Sequence, residues 1–255
     1  RSEMQDAAFK MQKKCLNSAF CILNFIVASL AAASVAMAAG STLLDAAERG
    51  DRAAVLQLLS KGTNPNTPGP DGTTAIMWAS SNGDLELVRA LIKAGADVKV
   101  KNQFGTSAIT EAAIIGSAPI VDALLKAGAD PNTRNPEGET PLMAVARSGH
   151  VDAAKRLLEA GADVNAKEQF GDQTALMWAA AQSQAEMVKL LASKGADVNA
   201  RGVIRQWERK VITEPRPKDM NKGGFTPLLY AAREGCVECV KNLAAAGADL
   251  NLEDP

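Results

Sequence analysis

Gly161–Ala162–Asp163–Val164–Asn165 is a turn signal that the chain repeats. Versions of it open at Gly62, Gly95, Gly128, Gly195 and Gly247, so successive intervals are 33, 33, 33, 34 and 52 residues. A period near 33 divides the chain into small units that bury their apolar surface only against neighbours. Without it, 255 residues would read as one large domain or two small ones.

Composition agrees with such units. Apolar residues make up 47% of the chain and charged residues 22%, the balance of an ordinary folded protein. Aromatics are only 4%, which suits small, closely approaching helices better than a bulky core. The formal net charge is −1. Residues 1–38 hold four basic and two acidic residues, so the remainder carries −3. Nothing in that balance points to nucleic acid. His150 is the one histidine, which excludes a histidine-rich metal or acid–base site. No metal, cofactor or small-molecule substrate is expected.

Residues 11–38 read as a signal peptide, with residues 1–10 an upstream segment. Met11 would be the start, Lys13 and Lys14 the basic region, and Phe20 to Val35 the apolar run. Ala36–Met37–Ala38 supplies the small-residue cleavage pattern. The rival reading is an uncleaved anchor, because the apolar run from 19 to 39 reaches the roughly 20 residues that span a bilayer. Asn24 and the Ala/Ser content weaken it. The partner is a membrane only if this segment stays uncleaved.

From 39 to 255 each unit reads as two helices, a glycine-containing break and the terminal turn. Ser41 and Thr74 stand where a first helix needs a cap, and Thr140–Pro141 pairs a cap with proline at the first helical position. Leu91, Leu124, Leu125, Leu157 and Leu158 mark the second helices, and Gly95 ends one in the left-handed manner. Unit five starts one residue late, at Phe170–Gly171–Asp172–Gln173–Thr174, and Ser183–Gln184 replaces its glycine break. Before unit six about 19 extra residues stand within 201–222. They include Trp207 and seven basic residues, Arg209 among them, against Glu208, Glu214 and Asp219. Placed between units, this insertion should project without disturbing the stack.

These patterns (Gly–x–Thr–Pro–Leu, paired alanines, paired leucines, Gly–Ala–Asp–x–Asn) resemble the ankyrin-repeat family over about residues 40–255. The resemblance implies an all-α solenoid of about six stacked helix pairs with projecting hairpin loops. The export signal and the Met–Trp–Ala variants resemble bacterial members, which implies a periplasmic or secreted protein, or one anchored in the inner membrane. The family's frequent fourth-position histidine is replaced by Met77, Thr110, Met143, Met177 and Leu229. Methionine fills space without donating bonds, so coupling between units is expected to lean on packing. Lys99 stands where Asn66, Asn132, Asn165, Asn199 and Asn251 stand elsewhere. Pro255 falls where a new hairpin would begin and no polar cap precedes it, so an array truncated at its carboxyl end is expected.

Few residues suggest chemistry. Cys236 and Cys239 have dithiol spacing inside an ordinary repeat helix, and bridged or free states are both open. Redox chemistry and zinc are disfavoured, the latter for want of further ligands. His150 is expected to serve the turn and cap of unit four. The aspartates at 97, 130, 163, 197 and 249 suit local turn bonding better than calcium. Trp78 and Trp178 are expected to pack. Phe104, Phe170 and Phe225 lie near hairpin tips, where an exposed aromatic can anchor a partner. With Glu137 and, in the insertion, Trp207 and Arg209, they form the candidate protein-binding set. The expected function is a non-catalytic scaffold for an unidentified protein. Alternatives are a docking module of a larger enzyme truncated after Pro255, or an anchored envelope protein.

Overall fold

Glycine decides where each helix pair ends. In the computed structural model, which describes residues 42–204 and 223–252, the six turn glycines adopt φ between +82° and +93°. The amide after each one donates to a carbonyl five residues back, as in Ala96 to Leu91 and Ala162 to Leu157. That closes the helix end and releases the chain sideways. The aspartate of each turn then accepts the amide two residues on, at Asp97, Asp130, Asp163, Asp197 and Asp249. Local turn bonding of these carboxylates is therefore as expected.

The described residues form six helix pairs. They are α1 (Leu43–Glu48) with α2 (Arg52–Ser60), α3 (Ala75–Ser81) with α4 (Leu85–Lys93), and α5 (Ala108–Ile114) with α6 (Ala118–Lys126). Next come α7 (Pro141–Ser148) with α8 (Val151–Glu159), α9 (Ala175–Ala181) with α10 (Ala185–Ser193), and α11 (Pro227–Arg233) with α12 (Val237–Ala245). Odd-numbered helices pack against their odd neighbours and even against even, giving two layers. Between the layers lie Leu87, Leu91, Ile120, Leu124, Leu157 and Leu191, all shielded from solvent. The pairs Ala112–Ala113 and Ala179–Ala180 are fully buried too, and their small side chains let first helices approach closely.

Caps follow the pattern with exceptions. Thr140, Thr174 and Thr226 each accept the amide three residues on, and so does Ser107. At the start of α1 the cap is Thr42 rather than Ser41, because Asp45 returns a bond to the Thr42 amide. Thr74 does not cap α3: its hydroxyl is buried with no hydrogen-bond partner. His150 holds the position that starts α8, yet its ring makes no cap bond. Instead Nδ1 pairs with Ser148 Oγ at 2.7 Å. The ring lies over Gly116, where an added Cβ would meet it at 2.0 Å. His150 thus couples unit four to unit three.

The methionines expected to fill space do so: Met77, Met143 and Met177 are buried. Coupling between units does not rest on packing alone, however. Asn132 Nδ2 donates to Gly161 O at 3.0 Å and its Oδ1 accepts the Asp163 amide at 2.7 Å. Asn66 and Asn165 make the same two bonds to the next unit, and Asn199 accepts from Asp249. Lys99 cannot complete this pair, so the ladder lacks its rung between units two and three. Units one and two are clamped further by Arg52, whose Nε and Nη2 reach both Asp84 oxygens at 2.7 and 2.6 Å. Burial pushes the Asp84 carboxyl up, but the Arg52 bond and charge and the Leu87 amide outweigh it and hold it below the usual carboxylate range.

Candidate protein-binding surface

Hairpin positions repeat as faithfully as helices. Phe104, Glu137 and Phe170 are 33 residues apart and occupy one site on three successive hairpins. Their backbones are fixed from within. Asn102 Oδ1 accepts the Phe104 and Thr106 amides, and Asn135 Oδ1 accepts that of Glu139. Adjacent hairpins are also tied together, through Gln103 N to Asp71 O at 2.9 Å and Gln169 N to Glu137 O at 2.8 Å. Between them Pro136 has no amide to give. It packs instead on Gly105, where an added Cβ would sit 2.5 Å from the proline ring. Phe104 and Phe170 remain 60% and 65% exposed, and Glu137 is exposed between them. Helix layers spaced roughly 8–10 Å apart put the two rings about 16–20 Å from each other.

The late start of unit five is absorbed by one residue. Its hairpin closes from Glu168 N to Gln173 O, where the unit-three hairpin closes from Asn102 N to Thr106 O. Glu168 takes the place of Asn102 and Asn135. Its buried carboxylate accepts the amides of Phe170, Gly171 and Gln173 at 2.7, 2.7 and 3.0 Å. Asp172, at φ +53°, takes the left-handed position that Gly105 and Gly138 hold elsewhere. Phe170 therefore stays in line with Phe104 despite the insertion.

Phe225 does not belong to this row. It is 9% exposed and packs edge-on against Tyr230, ring centroids 5.4 Å apart. The 52-residue interval aligns it with Gln173 rather than Phe170, so it stands past the tip. Arg233 lies 5.4 Å from its ring and 5.2 Å from that of Tyr230. Gln173 Nε2 donates to the Tyr230 hydroxyl at 2.7 Å, joining units five and six. Phe225 is a junction residue, not a free anchor. Trp207 and Arg209 lie outside the described residues, as do residues 11–38, expected to be a signal peptide.

First helices contribute a second row. Trp78 and Trp178 are half-buried against the core as expected, at the position held in unit six by Tyr230. Arg147 stacks 5.2 Å from the Trp178 ring. This cation–aromatic pair spans two units, and the repeat period places the two residues on neighbouring first helices. Ile114 and Ile115 lie exposed at the end of α5.

Among the described residues no cluster of His, Cys, Asp and Glu could hold a metal ion, and no helix is long and apolar enough to cross a membrane. The two cysteines left open by sequence are joined: Cys236 and Cys239 form a disulfide.

A family model described as ankyrin repeats in three copies matches residues 43–135 and 112–202, and a single ankyrin-repeat model matches residues 223–255. No curated protein matches the chain. Among solved structures, the human ASB11 ankyrin repeat domain is similar with a TM-score of 0.67 and 26% identity. That match covers 84% of this chain and 87% of the other.

Proposed function

The chain belongs to the ankyrin-repeat family, and from that premise we propose that it binds a protein through its hairpin tips, without turnover. One observation carries the reading: Phe104, Glu137 and Phe170 recur at one site on consecutive hairpins and stay exposed, and these hairpins are joined by Lys101 Nζ to Arg134 O, Pro136 on Gly105, and Gln169 N to Glu137 O. Aromatic anchors held on a fixed backbone lose little conformational freedom on association. The complementary partner presents two apolar patches flanking a basic side chain. The first-helix row and the insertion with Trp207 and Arg209 supply flanking contacts.

The test compares proteins retained by the intact chain, by a F104A/F170A double variant and by Glu137→Arg. Both variants should keep the parent's helical signal and melting temperature while losing a shared retained protein. An unchanged retained set in both would sink the proposal. Export directed by residues 11–38 is part of the same reading. Amino-terminal sequencing of the expressed protein checks it, and a mature chain still carrying 11–38 would overturn cleavage.

A further inference from the structure

Cys236 and Cys239 occupy two very different places in one repeat. Cys236 holds the position that starts α12, where Asp51 and Asp84 cap the matching helices with a side-chain oxygen. Its Sγ accepts the Cys239 amide at 3.2 Å and does the same task. Cys239 takes the slot held in other units by Leu87, Ile120, Ala153 and Met187, and like Leu87 and Ile120 it is wholly buried. Cys236 is only partly buried and lies on the rim of an open cavity of about 210 Å³. Ala232, Val237 and Val240 make that rim apolar, with Lys241 beside them.

We propose that this pair is an exchangeable disulfide that accepts electrons from a thiol, with Cys236 the attacked sulfur and Cys239 the leaving one. Three features point this way. Only Cys236 can be reached from solvent, so the direction of attack is set by burial. The reduced state also fits the fold as it stands. A Cys239 thiol suits an apolar slot, and a Cys236 thiolate would keep the amide bond and sit at the positive end of α12. Finally, the bridge closes a loop of only two intervening residues, so it restrains the unfolded chain little and is a poor structural clasp.

The exchange balances without any other reagent. A donor thiolate bonds Cys236 Sγ as the bond to Cys239 breaks, and the electron pair leaves on Cys239 Sγ, which takes a proton. A second donor thiolate then attacks the donor sulfur and frees Cys236. Two donor thiols become one disulfide, and the protein disulfide becomes two thiols.

The full chain is incubated, without denaturant, with reduced glutathione or with a reduced dithiol protein, then alkylated. Weighing the peptide that holds both cysteines separates them from Cys15 and Cys21. The bridge should open with at least one donor while the helical signal is unchanged. Opening by the dithiol protein alone assigns a protein donor, and opening by both assigns any accessible thiol. A bridge that stays closed to both donors until urea unfolds the chain overturns the proposal. With oxidised glutathione, Cys239→Ser should trap a mixed disulfide on Cys236 at least about tenfold faster than Cys236→Ser traps one on Cys239. Equal trapping would refute the assigned direction.

Discussion

Asn165→Ala tests whether the asparagine ladder couples the units. The substitution removes a bond from Nδ2 to Gly195 O at 3.1 Å and one accepted from the Asp197 amide at 2.8 Å. It leaves the internal turn bond from the Asn165 amide to Asp163 untouched. Each lost bond has a net value of roughly 0.5–1.5 kcal/mol, and solvent access favours the lower half, so the loss should be about 1–2 kcal/mol. The chain carries its own control. Lys99 stands at the same position without making the pair, so Lys99→Ala should change stability by less than about 0.5 kcal/mol. Lys99→Asn should restore the rung and gain about 1 kcal/mol. Urea unfolding followed by far-UV circular dichroism measures all three against the parent. Coupling in a linear array passes only between neighbours. The parent, which lacks this rung at the second junction, should therefore melt less cooperatively than Lys99→Asn. Equal losses for Asn165→Ala and Lys99→Ala would refute the ladder as a source of coupling.

Gly116→Ala should destabilise through its left-handed backbone, by roughly 1–2 kcal/mol, and through the overlap of its Cβ with the His150 ring. In a His150→Ala background only the backbone part should remain, and a double-mutant cycle by thermal melting reads the difference. Because the Asp84 carboxyl is held below its ordinary value, the stability it confers is present at neutral pH and lost as pH falls below about 4 through its folded value. Asp84→Asn should therefore be less stable than the parent at pH 7, and the gap should narrow as pH falls below the ordinary carboxylate range, as urea midpoints measured down the acid range will show. Phe225→Ala should cost about 3–5 kcal/mol as a buried aromatic. Phe104→Ala and Phe170→Ala should each stay within about 0.5 kcal/mol, a contrast that thermal melting resolves.

What could be read in advance was whatever is local or periodic. The glycine turns, the aspartates that bond two residues on, and the paired helices all follow from contacts within a unit. The asparagine ladder is not legible because its bonds reach 29 to 32 residues along the chain, and 50 across the insertion, and the residue type alone also fits a turn. Phe225 lies near a hairpin tip in the sequence. Its burial depends on Tyr230 and Arg233 in the helix that follows and on Gln173 a unit earlier. Thr74 has the right residue type for a cap, yet the hydroxyl is buried with no partner, and nothing in the structure explains it. The exposure of Phe104 and Phe170 was legible, since the repeat period places both at hairpin tips.

Unit five also records an inheritance constraint. Its hairpin has one residue more than those of units three and four, and the carboxylate that serves it has one methylene more than asparagine. Glutamate in a hairpin of ordinary length would overreach the amides that Asn102 and Asn135 serve. Asparagine at 168 would fall short of the three amides now held by Glu168. Glu168→Asn and deletion of Asp172 should each destabilise the hairpin, and the two together should recover most of the loss. The extra residue and the glutamate are therefore coupled by reach, and a duplication or exchange breaking between 168 and 171 would separate them.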